Sequence, residues 1–426
     1  MVIKMYNILD FGAVADGKTL CTASIQAAID TCHANGGGTV LVPAGSYYTG
    51  TIWLRSNVEL HLEHNSKLIA SHNLDDYNDN DAYEQNWFSL SEEWNGKHLI
   101  IAHECENVAI TGHGEINGSG YVFFEEPTKK WHYGWEDGIA QAKDKVNLRP
   151  GQLIVFIECR HIKVTDITVR NSPCWSCFLY GCDYVQVRGY KAFNGHTDGN
   201  TDGIDIDACS FVTVSDCIID TGDDAIAIRS VPHRLKNKNR VCEYISITNC
   251  TLSAYSAGVR LGVGNGLIRH VTISNIAFKH TGSCFNLSLS YSNKSISHVE
   301  DVMISNITCE YANRLIKTVG DSGTLKNLVI DNVRANTMSE IQLVKPENGS
   351  IDNISMRNMH IHVKNKPIEL TEEVLKERGE HILKAENIKG LELKNIRITI
   401  EPGEENTWGD KYHICGCDDA VTERIV

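Results

Sequence analysis

Apolar and polar residues alternate in short runs along most of the chain, and many of these runs end in one phrase, apolar-x-apolar-x-Asn-apolar. It reads Val-Thr-Ile-Ser-Asn-Ile from Val271, Val-Met-Ile-Ser-Asn-Ile from Val302, Leu-Val-Ile-Asp-Asn-Val from Leu328, Ile-Ser-Met-Arg-Asn-Met from Ile354 and Leu-Glu-Leu-Lys-Asn-Ile from Leu391. Looser copies start at Val108, Ile162, Val185, Val212 and Ile245. After a first, longer interval from Val108 to Ile162, the phrases recur at roughly 23- to 37-residue intervals over most of the chain, as in a solenoid. A period of two predicts strands, and Asn or Asp at the fifth position suits a bend that visits left-handed backbone. Stacking would bring Asn249, Asn275, Asn306, Asn332, Asn358 and Asn395 into a ladder, each rung burying its inward residues only against its neighbours. The expected fold is all-β, a right-handed parallel β-helix of about ten rungs.

The ends follow a different period. Between Ala23 and Ala34, Ile25, Ala28, Ile29 and Cys32 fall at helical spacing, and Gly36-Gly37-Gly38 follows. This predicts a capping helix over the open end of the coil, within an entry region of residues 1–75. A second helix is expected over 371–378, inside an insertion spanning 364–380. Between Tyr121 and Arg149 the alternation lapses and Trp131, Tyr133 and Trp135 crowd together. That segment is either a packed excursion loop or a wall of flat aromatic faces on which sugar rings stack.

A length of 426 residues exceeds the usual single core, but a solenoid grows by adding rungs, so residues 1–426 are expected to form one domain. The formal charge of −14, with no basic run, argues against nucleic acid or an anionic membrane as partner. No apolar run is long enough to span a bilayer, and the start Met-Val-Ile-Lys-Met-Tyr lacks the apolar stretch of a secretory signal. A cytoplasmic location is therefore expected, or an extracellular one if a leader has been removed. The 15 cysteines are odd in number and scattered through strand phrases (Cys159, Cys177, Cys209, Cys217, Cys250, Cys309), as buried free thiols in a reducing compartment would be. Cys415-Gly-Cys417 has no second pair at zinc-site spacing, so no metal is expected there.

The chemistry sits in two motifs. Asn200-Thr201-Asp202-Gly203 and Gly222-Asp223-Asp224 place their first aspartates 21 positions apart, one turn of the coil, and each runs into a short alternating strand. Aligning the strands from Gly203, Ala225, Gly258 and Asn286 stacks Asp202 under Asp224, with Ala257 and Phe285 next. Asp223 lies one column earlier, beside Thr201 and Ser256. Outward positions become Asp205, Ala227, Arg260 and Ser288, then Asp207, Arg229, Gly262 and Ser290. Two stacked carboxylates can hold a water and take its proton, while a third, crowded by its neighbours, keeps its own. Those are the requirements for cleaving a glycosidic bond, and they call for no cofactor. The plainer alternative is a ladder of turn aspartates that cap amides or hold calcium.

Asn200-Thr201-Asp202-Gly203 and Gly222-Asp223-Asp224 resemble the acidic signatures of glycoside hydrolase family 28, the polygalacturonase and rhamnogalacturonase family. Phe-Gly-Ala-Val-Ala-Asp-Gly from Phe11, Val-Pro-Ala-Gly from Val42 and Gly-His-Gly-Glu-Ile-Asn-Gly-Ser-Gly from Gly112 are similar to the entry of pectin-enzyme β-helices. The resemblance implies an inverting hydrolase with Asp223 as general acid and with Asp202 and Asp224 activating the water. Carboxylates on adjacent rungs would lie closer than the roughly 6.5 to 9.5 Å usual for inversion.

Two departures bear on substrate. Where polygalacturonases carry Gly-His-Gly, this chain has Ser256-Ala257-Gly258, and where they carry Arg-Ile-Lys it has Asn286-Leu287-Ser288. Neutral side chains hold a sugar carboxylate far less well than a guanidinium fork beside a lysine. The expected substrate is therefore a pectin-derived or related oligosaccharide other than plain homogalacturonan. Arg229 and Arg260 are candidates for a relocated clamp or are solvated strand residues. His196 either replaces the missing histidine or caps a loop. Asp205, Asp207, Asn200 and Asn286 are further candidates for sugar contacts, although Asp207 could equally pair with Arg229 across the rung. Two other classes remain open: a lyase on the same scaffold, using a lysine or arginine base, and a non-catalytic carbohydrate-binding solenoid.

Overall fold

The computed structural model describes residues 4–78, 96–124, 149–195, 198–292, 295–364, 376–403 and 405–426. Almost every strand belongs to one continuous, parallel sheet that winds into a β-helix. The ten phrases form a single column: Val108, Ile162, Val185, Val212, Ile245, Val271, Val302, Leu328, Ile354 and Leu391 are each paired with the next. Four strands outside the phrases, Met5–Asn7, Gly38–Val42, Val58–Leu62 and Val421–Ile425, extend the same column at its ends.

Left-handed corners make the turns. Asn249, Asn275, Asn306, Asn332, Asn358 and Asn395 all have φ between 52° and 57°. Their amides bond from coil to coil: Asn275 to Asn249 (3.3 Å), Asn306 to Asn275 (3.0 Å), Asn332 to Asn306 (2.8 Å) and Asn395 to Asn358 (2.8 Å). Asn358 instead donates to Asp331. A second corner carries a ladder absent from the phrase: His161, Tyr184, Phe211, Tyr244 and His270 stack with centroids 4.9 to 5.1 Å apart. All five have positive φ, a costly conformation for bulky residues that ring stacking helps to offset.

The interior is a continuous apolar core. One inward column is made of thiols: Cys105, Cys159, Cys182, Cys209 and Cys242 directly precede residues paired across five successive coils. Cys159, Cys182 and Cys209 each donate to a carbonyl of the coil before, those of Ala102, Phe156 and Leu179, at 3.3 Å. The thiols are thus satisfied without disulfides, and every cysteine except Cys415 and Cys417 is buried and free.

The helix Thr22–Ala34 covers the first coil with Ile25, Ala28, Ile29 and Cys32, all buried. Gly37 follows at φ 96°, where a Cβ would come within 2.3 Å of the Asn57 carbonyl oxygen. Of the second expected helix, residues 376–378 are helical and 365–375 lie outside the described residues. Residues 125–148 of the aromatic excursion, Trp131 and Trp135 among them, also lie outside.

Candidate active site

Adjacent coils bring the acidic motifs together. Asp205 pairs with Ala227 and Asp207 with Arg229, and Arg260 then stacks on Ala227. One coil further the register differs from expectation by two residues. Arg260 faces Asn286, Gly262 faces Ser288, and Ala257 faces Ser283 rather than Phe285, which turns inward against Val259. A two-residue shift keeps every side chain on its own side of a strand, so alternation alone cannot detect it.

Asp202, Asp223 and Asp224 converge, with one oxygen of each within 4.8 Å of the others. Tight turns aim them. Asn200 sits at φ 57°, and its N–H donates to Asp223 Oδ2 at 3.2 Å. Thr201 Oγ1 accepts from the Gly222 N–H (3.1 Å) and donates to the Asp198 carbonyl (2.7 Å), tying one motif to the other. Arg149, which no repeat pattern pointed to, clasps this turn through the Gly199 carbonyl and Asn200 Oδ1, both at 2.8 Å.

The three carboxyls have different surroundings. Asp224 is buried and paired with the Arg260 guanidinium; its Oδ1 also accepts from the Ala257 N–H at 2.9 Å. Asp202 is buried, and its Oδ1 has no hydrogen-bond partner among the described residues. Burial, and then the charges of Asp223, Asp205 and Asp224, push its pKa well up, with Arg260 opposing. Asp223 is the most exposed of the three.

Beneath them lies a second charged layer. Asp205 and Asp207 are buried, and Arg229 reaches both, at 3.7 and 3.6 Å, with its guanidinium 4.4 Å from the centre of the Trp175 ring. Asp205 is completely buried, so it does not reach a sugar hydroxyl as expected. Neither arginine is a solvated strand residue: Arg229 pairs with the buried Asp205 and Asp207, and Arg260 pairs with Asp224. Asn286 is buried between Arg260 and Lys317 in the column. His196, Trp131 and Trp135 fall outside the described residues. Trp175, which lines the cleft beside the acidic turns, was not singled out by the motif spacing.

Burial raises the Asp207 pKa to about 6, against the opposing pull of Arg229 and the Val231 N–H. Folded Asp207 then keeps its proton above about pH 3.9, where the unfolded residue loses it. Its contribution to stability falls as pH rises from about 4 to about 6 and is level above that. The difference in unfolding free energy between the native chain and Asp207→Asn should decline across that window. A flat difference would refute the assignment.

Comparison with known proteins fits this geometry. The family model for glycosyl hydrolases family 28 matches residues 32–372. A "Probable polygalacturonase" of Vitis vinifera is 27% identical over 269 residues, 60% of this chain and 51% of the relative. This chain spans about half the length of the curated relatives it matches. Among solved structures, a family 28 exopolygalacturonase of Yersinia enterocolitica superposes with a TM-score of 0.74 at 17% identity, covering 98% of this chain and 78% of that one. The A-module of a mannuronan C-5 epimerase of Azotobacter vinelandii gives 0.59 at 14% identity, over 98% and 99% of the two chains. Shared winding therefore does not fix the chemistry. With the family match covering most of its length, the chain belongs to glycosyl hydrolases family 28.

Proposed function

We propose that this protein hydrolyses glycosidic bonds in pectin-derived oligosaccharides with inversion, and that plain homogalacturonan is a poor substrate. The observation that carries the proposal is the convergence of three carboxyls within 4.8 Å at the mouth of a cleft beside Trp175 and Tyr291. Asp223 protonates the leaving oxygen. Asp202 and Asp224, stacked one coil apart, hold a water; Asp224, paired with Arg260, accepts its proton as the water oxygen bonds to the anomeric carbon, and Asp202, whose pKa is raised, orients it. The pectic class is supported by the polygalacturonase names of the relatives.

The close approach of the carboxyls favours a second reading, because separations of about 5 Å go with retention through a glycosyl-enzyme intermediate. Proton NMR of the first-formed anomer separates the two. As for substrate, Arg229 and Arg260 are already engaged by aspartates. A reacting sugar is then gripped through hydroxyls rather than a carboxylate. The cytoplasm is the proposed location, supported by the free cysteines.

The test is a screen against defined pectic and neutral oligosaccharides, with products identified by mass, anomer and ultraviolet absorbance, with and without chelator. The expected result is saturated, inverted product, unchanged by chelator, and little product from unbranched polygalacturonate. An unsaturated sugar end, or activity lost to chelator and rescued by calcium, would indicate a lyase. Vigorous cleavage of polygalacturonate would defeat the substrate proposal, and binding without turnover would mean a carbohydrate-binding solenoid.

A further inference from the structure

The outward column through Asp205 and Ala227 changes character on either side of the acidic turns. On the coils before, it holds Ile101, Val155 and Phe178; on those after, it runs through Arg260 to Lys317 and Gln342. Ile101, Val155 and Phe178 point away from the interior of the coil, yet none is more than 1% exposed. Arg260, Lys317 and Gln342 are half-buried. Part of the cover over the earlier coils is a strap, residues 231–241, between the strands Ile226–Ser230 and Cys242–Gly264. The Tyr180 hydroxyl donates to the Val231 carbonyl at 2.7 Å, and Leu235 packs so close to Gly181 that a Cβ there would lie 2.7 Å from it. Lys236 donates its N–H to Glu158 at 2.8 Å and pairs its ammonium with Glu104 at 2.6 Å. Glu104, Glu158, Gly181 and Ala208 follow one another at a single corner, so the strap runs backward along the coils that precede the site. Leu235 joins Val155, Ile157, Trp175, Phe178 and Tyr180 in an apolar cluster outside the coil.

Trp175 is the face of this cluster toward the site. It precedes Phe178 as Asp202 precedes Asp205, so it lies one coil before Asp202, about 4.8 Å along the axis. Its ring is 2% exposed and held on two sides, edge-on to Phe178 with centroids 5.2 Å apart and 4.4 Å from the Arg229 guanidinium. We propose that Trp175, backed by Phe178 and the strap, is an end wall that makes the enzyme attack a sugar chain only from a terminus. The inference rests on the proposed oligosaccharide hydrolase and deepens it. A chain cut at an internal bond continues on both sides of that bond, and on the side of Trp175 the coil faces give it no course. Only the terminal unit fits between the wall and the acidic turns, and the rest of the chain leaves toward the coils after Arg260.

Calorimetric binding to the non-hydrolysing Asp223→Asn protein tests this. The probes are an octasaccharide of alternating rhamnose and galacturonate and the same chain carrying a bulky group at one end, at the other, or at both. The doubly blocked chain should bind at least about tenfold more weakly than the free one, and a block at one particular end should suffice. Adding Trp175→Ala should recover much of that loss, whereas Trp175→Phe should keep it. The unaltered enzyme should release a single short product from the earliest times. Equal binding of free and doubly blocked chains, early fragments of mixed length, a loss that Trp175→Ala leaves intact, or failure of the free chain to bind would overturn the proposal. A Trp175-dependent need for a free end in a protein whose unaltered form releases no sugar would instead refute the hydrolase reading and leave the wall standing.

Discussion

Replacing Asp223 by asparagine is expected to lower kcat by roughly 10²- to 10⁴-fold, the usual worth of a positioned general acid. The amide keeps the shape of the carboxyl but has no acidic proton to give the departing oxygen. Asp223 is also the most exposed of the three aspartates, so its change should leave folding nearly untouched. Asn200 would still find an oxygen to accept its N–H, as it does now on Oδ2. The check is kcat on the best oligosaccharide from the screen, beside the thermal midpoint. An Asp223→Asn protein that keeps most of its activity would remove the acid role from this residue. One that loses its fold together with its activity would make Asp223 structural.

Arg229→Met should have its effect on stability. Removing one partner of a buried ion pair typically costs about 3–5 kcal/mol, because the remaining charge stays buried without compensation. Here two carboxyls lose their counter-ion at once. Asp205 and Asp207 are both fully enclosed, and among the described residues neither oxygen of Asp205 has a hydrogen bond to fall back on. The burial that already raises both pKa values would go unopposed by the guanidinium, so the variant should recover part of its stability when acid neutralises the pair. Denaturant unfolding at neutral and at mildly acidic pH measures this. A loss below about 1 kcal/mol at neutral pH would show that the layer beneath the site is not held by Arg229.

The sequence pattern carried the fold because a solenoid repeats its own physics. Ten phrase starts stack in one column, and the four inward residues of the capping helix are the four that are buried. The three converging aspartates were legible for the same reason, since their spacing equals one turn. What escaped had no periodic trace. Arg149 lies outside the repeating strands, and the aromatic corner from His161 to His270 uses residues whose propensity argues against a left-handed bend. The two-residue shift that places Asn286 rather than Ser288 beside Arg260 is invisible to a pattern of period two. Whether Arg229 and Arg260 are occupied depends on side-chain partners that lie a coil away, which linear order does not display.

The column of sulfur atoms from Cys105 to Cys242 gives the molecule a built-in set of clocks. Its members mark five successive coils, Cys284 and Cys309 mark later ones, and all are shielded from solvent. In the native state a water-soluble thiol reagent meets Cys415 and Cys417 and little else. Every further label records an opening of the coil that holds it, at a rate set by the local free energy of exposure. Peptide mapping of label against time would then read out, without any introduced probe, whether the winding peels from its ends or parts in the middle, beside the acidic turns.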